Sequence, residues 1–189
     1  TDLADNGKLR GLLVLPDESV SLMVNEEAHL RLQALASGFQ LRSAWEAVRA
    51  IDDELAQDLD YAFNDDLGYL TACPTNAGTG MRASVLIHLP SLVLTRQIGR
   101  VLQGITQVGL AVRGFYGEGS QIMGNFFQIS NQTTLGQSER ETVDSLERVT
   151  RQIIEYEQRA RDELLKDARV QIEDKIWRAY GTLRHSRVI

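Results

Sequence analysis

The sequence predicts an α+β fold, a mainly antiparallel β-sheet flanked by helices. Three observations predict it. Short segments alternate apolar and polar residues and are separated by turn residues, the pattern of strands joined by hairpins. Other stretches repeat apolar residues at three- and four-residue spacing, as amphipathic helices do. These helical stretches lie between and after the strands, which favours helices on one side of an antiparallel sheet. With 189 residues, 43% of them hydrophobic, and only three prolines, the chain can bury the core such a fold needs.

Taken in order, Gly7 to Leu15 alternates and ends at Pro16, and Pro16-Asp17-Glu18-Ser19 is turn chemistry. Val20 to Val24 is the returning strand, and Asn25-Glu26-Glu27-Ala28-His29 closes the hairpin. Leu30 to Leu35 alternates and suits a third strand, with a helix as the alternative. As a strand it would put Arg31 and Gln33 on one face, joined by His29. Leu41, Ala44, Trp45, Val48, Ile51, Leu55 and Leu59 mark a helix of roughly five turns. Arg42, Glu46, Arg49, Asp52, Asp53 and Asp58 form its solvated face, and Tyr61 and Phe63 are expected to pack beneath its end.

Asn64 to Gly68 is a turn into a strand over Gly68–Ala72, and Ala83–Leu89 is another. Between them lies Cys73-Pro74-Thr75-Asn76-Ala77-Gly78-Thr79-Gly80-Met81-Arg82, which holds the single cysteine. Two strands would thus hold a thiol and a guanidinium at the ends of one glycine-rich loop, a place where chemistry often sits. The plainer reading is a hairpin with a buried cysteine and a solvated arginine. Pro90 opens a helix buried through Leu92, Leu94, Ile98, Val101, Leu102 and Ile105. Gly109 to Arg113 is a strand running into a second glycine-rich loop, Gly114 to Ser120, and Asn125 to Asn131 is a further strand. Ser138 with Glu141 is a capping box that starts a long helix through Leu146, Val149, Ile153, Ile154 and Tyr156. A last helical stretch carries Leu164, Val170, Ile172, Ile176 and Trp177 to Tyr180-Gly181. Trp45 and Trp177 are expected in the core or between helices, and His88 and His185 as packing or capping residues.

Composition narrows the function. A net charge of −6 argues against a nucleic-acid-binding face, and no apolar run of ~18 residues indicates a transmembrane helix. One cysteine cannot form an internal disulfide, which fits a reducing cytoplasm. Thr1 stands where a methionine would begin a complete chain, so a longer parent is expected. Cations number 17 arginines and 3 lysines, a bias that GC-rich coding would also produce. Sorted by charge, the candidate residues of three loops divide into Arg31, Arg82 and Arg113 against Glu27 and Glu118, with the one thiol of Cys73. Arginines from separate strands suit a polyphosphate, since each guanidinium makes fork-shaped bonds to phosphate oxygens, and carboxylates beside them suit a cationic acceptor. Neither a Walker loop nor the Rossmann glycine pattern is present.

Four runs carry a resemblance: Asn25-Glu26-Glu27-x-His29-Leu30-Arg31, Cys73-Pro74-Thr75-Asn76-x-Gly78-Thr79-Gly80-x-Arg82-Ala83-Ser84-Val85, Arg113-Gly114-x-Tyr116-Gly117-Glu118-Gly119, and Gln128-Ile129-Ser130-Asn131-Gln132-x-Thr134-Leu135-Gly136. Together they resemble the phosphagen (guanidino) kinases, and Leu86-Ile87-His88-Leu89-Pro90 resembles the bacterial protein arginine kinases of the McsB type. The resemblance implies that residues 1–189 are the family's C-terminal catalytic domain, glutamine synthetase-like in fold. The N-terminal helical domain and the C-terminal extension would then lie outside them. It implies Arg31, Arg82 and Arg113 on the phosphates of ATP, and Glu27, Glu118 and Cys73 around the acceptor guanidinium. Asn25, His29, Asn76, Gly78, Gly80 and Gly117 would shape the supporting loops.

ATP and Mg2+ are the implied cofactors, with magnesium carried by ATP and no direct metal ligand. The implied reaction moves the γ-phosphoryl group to arginine side chains of proteins, with an activator protein and Clp protease machinery as further partners. A homodimer contact on the helices after Ser138 is the alternative to a solvated face. Ala28 departs from the usual aspartate. With the upstream arginines lying outside these residues, it leaves open an inactive relative that binds nucleotide or phosphoarginine. A kinase for free arginine or another small guanidine stays open because the family's specificity loop lies in the N-terminal domain. The residues alone are expected to turn over weakly or not at all.

Overall fold

The computed structural model describes residues 9–116 and 122–187. The first hairpin forms as its turn residues predict. β1 (Gly11–Val14) pairs antiparallel with β2 (Val20–Val24), which pairs with β3 (Leu30–Ala34), so the strand reading of Leu30–Leu35 holds. Helix α1 (Leu41–Leu55) follows, with 15 residues, about four turns. Leu59 lies beyond its end and is exposed. The helix's polar face is only partly solvated, because Arg42 bonds to Asp144 and Glu147; on its apolar stripe Trp45 Nε1 donates to Glu139 at 3.0 Å. Tyr61 packs at the helix end as expected, donating to Asp52 at 3.0 Å. Phe63 instead lies exposed, edge-to-face with Tyr69.

The strand expected over Gly68–Ala72 shortens to β5 (Gly68–Tyr69), which pairs with β4 (Phe63–Asn64) in a two-stranded ribbon. On its other edge Tyr69 exchanges backbone hydrogen bonds with Gly78, at 2.8 and 3.1 Å, so the ribbon pairs with the Cys73 loop itself. The Cys73 loop therefore does not join two strands of one sheet. β6 (Ser84–His88) belongs to a different sheet, ordered β6-β8-β7, with β7 (Leu110–Tyr116) and β8 (Ile122–Asn131). All five strand pairings in the three sheets are antiparallel. The predicted sheet is thus divided, and the α+β class stands.

The single helix expected after Pro90 is two: α2 (Pro90–Leu94) and α3 (Ile98–Gln107). Arg96 takes φ +59, Gln97 N donates to Leu92 O at 2.9 Å, and Arg96 N donates to Val93 O at 3.0 Å. These are the two bonds of a Schellman stop, here with arginine where glycine is usual. α4 (Glu139–Asp167) starts on the predicted capping box: Ser138 Oγ accepts from Glu141 N, and Glu141 bonds back to Ser138 N at 2.8 Å. α5 (Arg169–His185) follows a break at Ala168, and Trp177 on it is 66% exposed, so it is not a core residue.

Strand period two explains the core. Along β8, Phe127 and Ile129 are buried, and with Leu89, Leu92, Ile105, Leu110, Leu146 and Ile153 they form one cluster against α2, α3 and α4. Each such side chain contributes about 1.5–3 kcal/mol. The other face of this sheet carries Ser84, Leu86 and His88 on β6, Gln128 on β8 and Arg113 on β7. It is mostly exposed.

Candidate active site

Three segments carry the predicted site residues. The first, Asn25–His29, is a tight turn. Asn25 N donates to His29 O at 2.9 Å, and Asn25 takes φ +54, a conformation that asparagine tolerates better than most residues. Its side chain donates to Leu9 O at 2.7 Å. Glu27 and His29 are exposed at the turn. The carboxylate that works inside the turn is Glu26, which accepts from Glu27 N and from Arg31 Nη1, both at 2.9 Å. The bond from Arg31 chiefly holds the Glu26 carboxyl below its ordinary range. Arg31 is thus engaged by a neighbouring acid.

The second segment is the Cys73 loop. Cys73 is half-buried, and its Sγ lies 3.0 Å from Thr75 Oγ1. A short 3-10 turn, Pro74–Asn76, follows, and Asn76 N donates to Cys73 O at 3.0 Å. Thr71 Oγ1 donates to the same carbonyl at 2.7 Å. Gly78 has φ +108, and a Cβ there would lie 2.2 Å from Thr134 O. Only glycine permits that approach. Gly80, at φ +63, turns the chain toward Arg82.

The third segment is the open sheet face. Arg82 Nη2 reaches Ser130 Oγ on β8 at 3.5 Å. Arg113 stands opposite Gln128, two residues before Ser130 on the same face. Gln128 Nε2 donates to Ser84 Oγ at 3.1 Å. Arg82, two residues before β6, and Arg113 on β7 therefore approach β8 from its two sides on one face. Among the described residues neither is paired with a carboxylate. Such a face can hold an anion with several oxygens. Arg31 lies on the other three-stranded sheet, and no described bond joins it to the other two arginines. Gly117 and Glu118 lie outside the described residues.

Sequence reasoning assigned no role to Asn131 and Thr134, which bind the Cys73 loop and the Arg82 backbone together. Asn131 Oδ1 accepts from Ala83 N at 2.8 Å, and Thr134 Oγ1 lies 2.6 Å from Ala77 O. Their presence in the run Ser130-Asn131-Gln132-Thr133-Thr134 was the available signal: polar residues at the end of a buried strand and just past it. Among the described residues no group of three or more histidine, cysteine, aspartate or glutamate side chains is arranged to hold a metal ion. No helix of the described residues is long and apolar enough to cross a membrane.

Residues 2–160 match the family described as ATP:guanido phosphotransferase, C-terminal catalytic domain. The chain is 51% identical over 188 residues to a protein-arginine kinase of Caldanaerobacter subterraneus subsp. tengcongensis, covering 100% of this chain and 56% of that protein. It is 55% identical over 187 residues to a protein-arginine kinase of Brevibacillus brevis, covering 99% of this chain and 52% of that one. The chain thus spans about half the length of these curated relatives. Its fold is similar to the substrate-free duplicated taurocyamine kinase of Schistosoma mansoni, with TM-score 0.68 and 30% identity over 78% of this chain and 20% of that one. A crystal structure of lombricine kinase matches with TM-score 0.67 and 30% identity, over 79% of this chain and 42% of that one.

Proposed function

The chain belongs to the ATP:guanido phosphotransferases, through their C-terminal catalytic domain, and on that premise we propose that it transfers the γ-phosphoryl group of ATP to arginine side chains of proteins. The observation that carries the reading is the open sheet face. It presents Arg82 and Arg113 without carboxylate partners among the described residues, beside a loop that holds the thiol. The names of the relatives, protein-arginine kinases at 51% and 55% identity, support arginine in proteins as the acceptor. Residues 1–189 act as the catalytic unit.

Phosphoryl transfer depends on alignment and charge neutralisation. Arg82 and Arg113 bind phosphate oxygens of the nucleotide. Arg31 joins them by exchanging Glu26 for a phosphate oxygen. Magnesium, carried by the nucleotide, neutralises further charge on the phosphates. The acceptor guanidinium is a poor nucleophile because its pKa exceeds ~12. Glu27 and Glu118 orient it and take its proton as the nitrogen–phosphorus bond forms and the β–γ phosphoanhydride bond breaks, releasing ADP. Cys73 lies beside the guanidinium as a further anionic group when ionised. Asn25, His29, Asn76, Gly78, Gly80 and Gly117 shape the loops. An activator protein, a Clp protease acting on the product, a homodimer and a cytoplasmic location belong to the same proposal.

Ala28 in the Asn25–His29 turn, and the Arg31–Glu26 bond beside it, motivate a second reading: a relative that binds nucleotide without turnover. One experiment separates the readings. The full-length protein is incubated with ATP, magnesium and either casein or free arginine, and acid-labile phosphate is measured. Label on casein alone is expected. Label on free arginine would replace protein by a small guanidine as acceptor, and no label would favour the binder.

A further inference from the structure

We propose that Asn131 and Thr134 are positioning residues that hold the Cys73 thiol and the Arg82 guanidinium in fixed relation across the loop between them. The proposal rests on the phosphotransfer reading above. Asn131 is 8% exposed and uses both ends of its amide. Its Oδ1 accepts from Ala83 N at 2.8 Å, and its Nδ2 donates to Met81 O at 3.1 Å and Thr133 O at 2.9 Å. The residues on either side of Arg82 are thus tied to one side chain. Three positions later, Thr134 Oγ1 shares its proton between Ala77 O at 2.6 Å and Thr75 O at 3.1 Å. Thr134 O accepts from Thr79 N at 2.9 Å and from Thr79 Oγ1 at 3.3 Å. Thr75, held from its carbonyl, is also the residue whose hydroxyl meets Cys73 Sγ.

One short segment leaving β8 therefore fastens both ends of the loop. Left free, the loop residues would gain backbone entropy, and the thiol would wander relative to the arginine. In-line transfer tolerates little such motion, since a 1 Å misplacement costs about 10²-fold in rate. Neither side chain is bonded to the thiol or the guanidinium; both act through the backbone. Gly78 shows how close the fastening is, with no room for a Cβ beside Thr134 O.

The test compares Thr134→Val, which keeps the shape and removes the hydroxyl, with Thr134→Ser, which keeps the hydroxyl, in the full-length protein. Cys73 alkylation by iodoacetamide is followed by mass spectrometry of its peptide at about pH 9.5, above the ordinary thiol pKa, so that the rate reports access. Thr134→Val is expected to raise this rate at least about fivefold and to lower kcat at least about tenfold, with KM for ATP within about threefold. Thr134→Ser is expected to restore both. Wild-type alkylation and kcat in Thr134→Val would overturn the proposal, as would a serine variant that behaves like valine. Should Thr134→Val fail to fold, Thr134→Ala adds no bulk and is read by the same two measurements. If the wild-type protein transfers no phosphate, the reaction assignment fails on its own, and the alkylation comparison still decides the fastening.

Discussion

Glu157 offers the sharpest stability test, because a carboxylate that is 4% exposed caps a helix from 66 residues away. Its Oε1 accepts from Ser91 N at 2.8 Å and its Oε2 from Leu92 N at 3.0 Å. These are the first free N–H groups of α2, so the cap fixes α2 to α4 beneath the sheet. Truncation by Glu157→Ala leaves both donors buried and unsatisfied. Each costs about 1–3 kcal/mol, and allowing for relaxation the loss should be ~2–4 kcal/mol. For a chain of this size that lowers Tm by roughly 5–15 °C. Glu157→Gln keeps one carbonyl acceptor and should lose about half as much. The assay is urea unfolding with a check that the slope is unchanged, alongside thermal melting. An alanine variant within about 0.5 kcal/mol of wild type would refute the reasoning.

Two further outcomes follow from side chains away from the sheet face. Thr150 is fully buried in α4, and among the described residues its hydroxyl has no hydrogen-bond partner. Thr150→Val should therefore stabilise the fold by ~1 kcal/mol in urea unfolding, where a loss would show a missed partner. Burial, and then the bond to Asp52, push the Tyr61 hydroxyl up to about 12 from its usual 10.0. A raised folded value means that its contribution is present below about pH 10 and is lost as pH rises toward 12. Wild type should lose stability over that window and Tyr61→Phe should lose less, as read by urea midpoints across alkaline pH.

Local chemistry made much of the fold legible. The first hairpin follows from Pro16-Asp17-Glu18-Ser19 between alternating strands, and the start of α4 from Ser138 with Glu141. The break between α2 and α3 was hidden for a physical reason. The apolar spacing runs through it, and Arg96 occupies the left-handed position where a glycine would have announced a stop. Trp177 failed differently: periodicity marks an apolar face but does not say what covers it. At the candidate site, the residue types of Cys73, Arg82 and Arg113 were readable, and so was their division between loop and strand. Their relation was not. It depends on pairing Arg113 with Gln128 and on Thr134 meeting Gly78, contacts between segments distant in sequence. Glu26, rather than Glu27, bonds to Arg31, a choice set by the geometry of a tight turn that two adjacent glutamates do not reveal.

In the proposed function the open face of the β6-β8-β7 sheet holds the ATP phosphates. Equilibrium binding of ATP with magnesium to the full-length protein, wild type against Arg113→Ala, tests it most directly. A lost charge-assisted hydrogen bond of about 1.5–3 kcal/mol predicts affinity about 10- to 150-fold weaker, with melting unchanged because Arg113 is exposed. Wild-type affinity in Arg113→Ala would place the phosphates elsewhere.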